Sequence, residues 1–411
     1  MNILFITEKF PYPLDSGGRI RTFHILKGLS QEHRITLITT IEQETQRQYL
    51  PDLQKICRDV TVITVKNETS VQLGKKILRN ILSPIPIVVE RHYQPEVAAT
   101  VSRLLQSGDS SFDVVHFDHL DASIYANCLP PGMLTVLDEH NIVSNQIMTS
   151  AEVERNLLKR LYMQFQAQKT LRYEPDVCRK MTCCFVCSDT DKGYLMNIAK
   201  EAHVVTIPNG VDVEYFSDAS WRRQASIKLP PAPQAMIFVG TLDYGPGATA
   251  TRYFCHRILP LIHAQIPEAT FLAVGQNPPQ YLRDLANQDA RILVTGRVDD
   301  IRPYVDRAKV FVVPLRSGSG TRLKILDAMA MSIPVVSTTI GAEGLNIRSG
   351  ENILIADTPE DFSAAVLKLL QDDSFAASIK QNAFRFVRET YSWNTIWRDL
   401  LHAYQELKTR T

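Results

Sequence analysis

Short apolar runs, rich in β-branched residues and without strict alternation, recur along almost the whole of this chain. NILFIT, HRITLITT, VTVITV, DVVHF, LTVLDEH and CCFVCS come first, and MIFVGTL, TFLAVG, ILVTG, VFVVPL, PVVST and ILIA follow. Strands covered on both faces of a parallel sheet read this way, and the stretches between them are long and amphipathic enough for helices. The pattern predicts an α/β protein. About a dozen strands would overload a single open sheet, which favours two doubly wound domains. After HVVTIPNGVDVEYF comes SDASWRRQASIKLPPAPQA, polar, Pro-rich and without periodicity, and a fresh strand then starts at Met236. The boundary is therefore expected between residues 200 and 216.

Composition narrows the partners. Lys and Arg total 45 against 44 Asp and Glu, a net charge of +1, which lacks the excess that tracks a nucleic-acid backbone. With 411 residues and 45% hydrophobic content the chain can bury a core that needs neither disulfides nor metal. The opening MNILFITEKFPYP lacks the basic region of a secretory leader and reads as a first strand, and no window approaches the roughly 18 to 20 apolar residues of a membrane span. The seven cysteines include Cys183, Cys184 and Cys187 in MTCCFVCSD, expected as reduced core residues of a cytoplasmic protein. A zinc site would need a second Cys or His pair at finger spacing, and none is evident.

Two strand–loop–helix junctions carry candidate chemistry. In the first, Phe5-Ile6-Thr7 leads through EKFPYPLDSGG into RIRTFHILKGLS, with Gly17 and Gly18 ahead of a helix whose open N–H groups suit an anion. A plain glycine turn is the simpler alternative. In the second, VFVVPL leads through RSGSG into TRLKILDAMAM. Gly318 and Gly320 clear space at a helix start, and Lys324 and Asp327 share one helix face. A cation near the amide-rich end and a carboxylate one turn on fit a diphosphate followed by a ribose diol, although an i,i+3 surface ion pair would look the same. A dinucleotide fingerprint fails here, because its third glycine would stand at Leu323.

The phrases IPNGVD at 207–212, VGTLDYGP at 239–246, the run VTGRVDDIRPYVDRAKVFVVPLRSGSGTRLKILDAMAMSIPVVST at 294–338 and YSW at 391–393 together resemble glycosyltransferase family 4. The resemblance implies the GT-B fold, two Rossmann-like domains facing across a cleft. It divides the chain into an acceptor domain (1–205), a nucleotide-sugar domain (206–390) and a closing helix (391–411) that crosses back to the first domain. It also implies a retaining hexosyltransferase that uses no metal and no cofactor beyond its UDP- or GDP-linked donor. Its acceptor would be a glycan or lipid-linked molecule in cell-surface polysaccharide or glycoconjugate synthesis. Domain closure would bring the Gly17 and Gly18 amides to Lys324.

By the same resemblance, donor contacts fall on Gly17, Gly18, Gly240, Thr241, Gly296, Arg297, Ser319, Gly320, Thr321, Arg322, Lys324, Asp327 and Glu343. Asp327 takes the ribose-facing end of the family's paired acids, and Ser319 stands where the other acid would be. Thr241 replaces a frequent arginine, which leaves Arg322 and Lys324 to counter the diphosphate. Arg297 and Glu343 read equally well as solvated charges. The catalytic candidates are His116, Asp118 and His119 in VVHFDHLD together with Lys324. His140 and Asn141 in LDEHNIVS are placed on the acceptor side.

Between Val71 and Arg91 the chain sets Lys75, Lys76 and Arg79 beside Ile77, Leu78, Ile81 and Leu82. Such a helix suits an anionic membrane surface and a peripheral position at its inner face, although packing on the core is the commoner fate of an amphipathic helix. Two rival functions remain open: a nucleotide-sugar epimerase on the same fold, or a scaffold or regulatory subunit that binds the donor without efficient transfer.

Overall fold

The structure, a computed structural model, describes residues 1–65, 69–106, 111–223, 232, 234–243, 245–318 and 320–408. Two compact units divide the chain: Met1–Pro208 with Trp397–Thr411, and Asn209–Ile396.

The first unit is built on seven parallel strands. They are β1 (Asn2–Thr7), β2 (Arg34–Ile41), β3 (Asp59–Thr64), β4 (Val114–Asp118), β5 (Leu134–Glu139), β6 (Cys183–Val186) and β7 (Val204–Thr206). Their spatial order is β3-β2-β1-β4-β5-β6-β7, so the winding direction reverses between β1 and β4. β1 pairs with β4 in the register Phe5 to His116 and Thr7 to Asp118. Helices cover the faces: α1 (Gly17–Leu29), α2 (Ser70–Asn80), α3 (Val143–Val153) and α4 (Leu157–Lys180) are used below. β7 is missing from the sequence reading, because three residues stopped by Ile207-Pro208 carry too little apolar pattern to register as a strand.

The second unit holds six parallel strands: β8 (Met236–Val239), β9 (Phe271–Val274), β10 (Ile292–Gly296), β11 (Val310–Val313), β12 (Val335–Ser337) and β13 (Leu354–Ile355). The order β10-β9-β8-β11-β12-β13 puts the reversal between β8 and β11. Helix α5 (Leu323–Ala330) follows β11 and buries Ile325, Leu326, Ala328 and Met329. Each unit has its own core, and the burial of β4, β9, β11 and all but one residue each of β1 and β8 explains why their sequences do not alternate.

The chain finishes in α6 (Trp393–Lys408), whose residues from Trp397 onward belong to the first unit. Trp397 donates its indole N–H to the His24 carbonyl at 2.8 Å. It seats against Gly28 of α1, where a Cβ would fall 2.3 Å from the indole. Any side chain at Gly28 would push the tryptophan off. Cys183, Cys184 and Cys187 are buried.

The core-packed expectation for the basic helix is corrected. On α2 and the turn after it, Val71, Leu78, Ile81 and Leu82 are exposed, and only Ile77 is half-buried.

Candidate functional site

In open α/β sheets ligands collect outside the carboxyl ends of the strands where the winding reverses. Each unit has one such point, and most of the expected site residues lie at one or the other.

At the first reversal, β1 ends at Thr7 and β4 at Asp118. Asp118 Oδ2 accepts from the hydroxyls of Thr7 at 2.7 Å and Thr22 at 2.8 Å, and Oδ1 lies 2.9 Å from His140 Nε2. Beside it, Arg21 and Asp138 form a pair that is essentially without solvent exposure: Arg21 Nη2 is 2.6 Å from Asp138 Oδ1, and Nη1 donates to the Ile207 carbonyl at 2.8 Å. Burial by itself would raise the Asp118 pKa, but the His140 charge and the bonds from His140 and Thr7 outweigh it and hold the carboxyl below its usual range.

This arrangement corrects two of the catalytic assignments. His116 is fully buried, stacked on Phe5 at 4.2 Å with Nδ1 2.6 Å from the Tyr404 hydroxyl, and burial pushes its pKa down to about 4. It is a core residue, because β4 turns it inward between the sheet and α6. Asp118 is buried too, with its oxygens committed to protein donors, so it positions His140 instead of meeting substrate. His116, Asp118 and Asp138 bring potential ligand atoms within 4.8 Å of one another. Arg21, His140 and the threonines already satisfy both acids, so the donor set is closed against a cation.

Next to this network lie the half-buried His119, the buried His140 and the exposed start of α1. His119 has a positive φ of 83° and its ring centroid lies 4.8 Å from that of His140. Burial holds its pKa below the usual value. Gly17 and Gly18 are corrected in conformation: they are the first two residues of α1 itself, neither has a positive φ, and Ser16 caps them without a side-chain bond. A Cβ on Gly18 would lie 3.6 Å from His140 Nδ1, so the helix start and the imidazole are neighbours. Asn141 follows His140 and is half-buried.

At the second reversal, β8 ends beside Gly240 and β11 leads into the loop before α5. Lys324 lies on the first turn of α5 with its ammonium 4.7 Å from the Phe238 ring centroid. It passes directly over Gly240, where a Cβ would stand 2.7 Å from Nζ, and Gly240 has φ 159°. The missing side chain makes room for the cation. Lys324 and Asp327 are each half-buried, yet the protein around them is dense. Burial, with help from Arg322, pushes the lysine pKa down to about 8. Burial also raises Asp327 to about 7 against the pull of Lys324.

Arg322 is buried and spent mainly on backbone. Nε donates to the Ile340 carbonyl at 3.2 Å, Nη2 to the Gly318 carbonyl at 2.8 Å, and the exposed Glu343 lies 3.4 Å away. Its charge reaches Lys324, but the guanidinium itself pins the loop. Thr321 Oγ1 is buried with no hydrogen-bond partner among the described residues. Gly320 has φ 84° and Gly296 φ 75°. Thr241 and Arg297 are exposed, and Ser319 lies outside the described residues.

Sequence reasoning missed Arg21, Asp138, Thr7, Thr22 and Phe238. A signal existed for two of them: a charged residue inside an apolar helical face or strand is almost never buried unless paired. Arg21 in α1 and Asp138 within LTVLDE are such a pair.

Residues 16–215 match the family described as Glycosyltransferase Family 4, and residues 233–372 match Glycosyl transferases group 1. An uncharacterized 44.6 kDa protein of the cps region of Klebsiella pneumoniae is 21% identical over 97% of this chain and 98% of its own length. A phosphatidyl-myo-inositol mannosyltransferase of Mycobacterium tuberculosis is 25% identical over 78% of this chain and 81% of its own. Among solved structures, Anabaena Alr3699/HepE in complex with UDP superposes with a TM-score of 0.68 at 15% identity, covering 99% of this chain and all of that one.

Proposed function

Because the chain belongs to glycosyltransferase family 4 and has the GT-B fold, we propose that it is a retaining, metal-independent hexosyltransferase. It takes its sugar from a UDP- or GDP-linked donor and serves cell-surface polysaccharide or glycoconjugate synthesis with a glycan or lipid-linked acceptor. The observation that carries this reading is the Lys324 ammonium lodged over Gly240, one turn before Asp327, with a Thr321 hydroxyl three residues earlier that has no partner among the described residues. A half-buried cation with a depressed pKa and a buried hydroxyl without a partner among the described residues are costly in the empty protein and are both relieved by a diphosphate. Asp327 then accepts from the ribose hydroxyls. Arg322 contributes charge while holding the loop.

On this reading the anomeric carbon–oxygen bond to the diphosphate breaks as the acceptor oxygen attacks from the same face. The acceptor proton passes to a diphosphate oxygen, and the new glycosidic bond keeps the anomeric configuration. Lys324 and the α5 amides stabilise the charge that develops on the leaving group, the work a metal would otherwise do. His119, His140 and the α1 start are the groups that handle the acceptor. HepE is described as a complex with UDP, and the mycobacterial relatives as phosphatidyl-myo-inositol mannosyltransferases, which supports both halves of the proposal.

The test is a thermal-shift panel of UDP, GDP, ADP and their sugar conjugates on the protein and on Lys324→Ala. One base should stabilise the parent by about 2.7 kcal/mol at a hundred times its dissociation constant, and Lys324→Ala should lose most of that. Silence across the panel, or an unchanged response in the variant, removes the donor assignment. Product anomers from the active donor then decide retention.

A further inference from the structure

We propose that Glu8, Asp121 and His119 form a subsite that recognises a neutral, hydroxyl-bearing ring of the acceptor. The inference rests on the proposed transfer and adds to it the chemical class of the acceptor. Glu8 is the first residue after β1, and its backbone carbonyl accepts from the buried Thr40 hydroxyl at 2.6 Å, which ties the start of the loop to β2. The side chain is faced by Tyr125 and Asp121, both on the turn that follows β4. Glu8 is only 8% exposed, yet its Oε1 is buried with no hydrogen-bond partner among the described residues. Glutamate is almost never buried unless paired, and a buried polar atom without a partner is the mark of a group completed by something else.

Asp121 is similarly incomplete. It is 7% exposed, and its Oδ1 accepts from the Ala122 N–H at 3.0 Å and lies 3.9 Å from His119 Nδ1. That gap is too long for a hydrogen bond. A hydroxyl oxygen about 2.8 Å from each atom fits between them, accepting from the imidazole and donating to the carboxylate. His92 stands on the other side of Asp121, with Nε2 3.9 Å from Oδ2, but that nitrogen already accepts from Arg91 Nε at 3.0 Å. Tyr125 is spent as well, accepting from the Gln94 N–H at 2.9 Å and donating to the His92 carbonyl at 3.2 Å. The unfilled positions are therefore at Glu8 and between Asp121 and His119, and His119, with a side chain 30% exposed, forms the way in.

The protonation states name the ligand. Burial, reinforced by the Asp121 charge, pushes Glu8 up to about 8 against the pull of Tyr125, so at pH 7 its carboxyl is neutral and offers one donor and one acceptor. Burial pushes His92 down to about 4, with Arg91 and Lys9 adding to the effect, and it holds His119 below its usual value beside His140. Both imidazoles are thus neutral at pH 7. Hydroxyls, which donate and accept, match this set. A phosphate would meet the Asp121 carboxylate, and an ammonium would need Glu8 ionised. A sugar ring supplies several hydroxyls without charge.

The test is saturation-transfer NMR of the whole protein, without nucleotide, against methyl α-glucoside, methyl α-galactoside and methyl α-mannoside. At pH 7 at least one of them should receive saturation, and Glu8→Ala and Asp121→Ala should each weaken its binding about tenfold. Glu8→Gln keeps a donor and an acceptor but does not ionise. It should bind like the parent at pH 7 and still bind at pH 9, where the parent has weakened by about tenfold because its carboxyl has lost the proton it donates. A carboxyl with a merely structural role would not separate the two profiles. Binding of none of the three glycosides, an alanine variant that binds like the parent, or a Glu8→Gln profile that falls with the parent's overturns the subsite. Displacement of the glycoside by inorganic phosphate overturns it in favour of an anion site, and affinity that rises with pH overturns it in favour of an amine site. Melting curves show that each variant is folded, and should an alanine variant fail to fold, the Glu8→Gln profile decides. The nucleotide thermal shift reads the donor site alone, so failure here and failure of the transferase reading are told apart.

Discussion

The two reversal points have the same topology and opposite electrostatics. At β1/β4 the charges of the central network have protein partners: Arg21 has Asp138, and Asp118 has His140, Thr7 and Thr22. At β8/β11 the lysine ammonium lies over a glycine and an aromatic ring with its pKa depressed, and a threonine hydroxyl goes unsatisfied. Where polar groups satisfy one another they fix geometry, and where they are left in deficit they store affinity for something absent. The first point is thus a frame for His119 and His140, and the second is where we propose that the donor binds.

The sharpest way to break this contrast is Asp138→Ala. It leaves Arg21 buried without its counterion, which costs about 3 to 5 kcal/mol. Thermal unfolding should begin at a markedly lower temperature, while nucleotide binding below that temperature survives. An unchanged melting curve would show that the first network is not structural.

Lys324→Ala asks the reverse question of the second unit. Removing a half-buried cation whose pKa burial has pushed down should leave the melting temperature of the free protein unchanged or raise it. Transfer should fall by about 10² to 10³ in kcat/KM, the cost of losing one preorganised group on a developing charge. A variant that melts early and still turns over would make Lys324 a structural residue.

How much of this was legible in the sequence follows from the same contrast. The parallel strands were readable because burial on both faces writes unbroken apolar runs, and only the three-residue β7 escaped. Lys324 and Asp327 were readable because helical spacing alone puts them on one face. The β1/β4 network was not, because its members come from 7, 21, 22, 118, 138 and 140, and only the strand register brings them together. His116 misled for a related reason. Two residues before a strand end, alternation places it on the same face as Asp118, but one layer down, under Tyr404. The exposure of Leu157, Leu158, Leu161 and Phe165 on α4 was hidden because these residues look like an ordinary core stripe until the fold shows which side they take.

A smaller test probes an exception inside the first unit. Glu139 follows Asp138 on β5 and is buried with neither carboxyl oxygen hydrogen-bonded among the described residues. Burial, reinforced by nearby Glu174, pushes its pKa well above the normal value, and Glu174 is itself raised to about 7. Both carboxyls therefore hold protons in the folded state that the unfolded chain loses near pH 4.5. Their contribution to stability is present below that pH and declines as pH rises toward 7 and beyond. Glu139→Gln should leave the melting temperature near pH 4.5 almost unchanged and stabilise the protein at pH 8 by about 1 to 3 kcal/mol. Equal effects at both values would mean that the carboxyl is already ionised when folded.

The gentlest test uses pH alone and needs only the parent protein. Lys324 loses its proton near pH 8 in the empty site, and a bound diphosphate restores it, so binding above pH 8 takes up a proton. Affinity for the nucleotide diphosphate should then fall with rising pH, approaching tenfold per unit. On the acid side Asp327 is protonated below about 7, which removes acceptor capacity for the ribose and lowers affinity again. The dissociation constant should pass through a minimum between about pH 7 and 8. Lys324→Ala should abolish the alkaline limb and Asp327→Asn the acid one. Across the same range Asp118 stays ionised, because the His140 charge and the bonds from His140 and Thr7 hold its pKa below the usual carboxylate range. An affinity that is flat from pH 6 to 9 would place the diphosphate away from Lys324 and end the distinction between a satisfied reversal point and a waiting one.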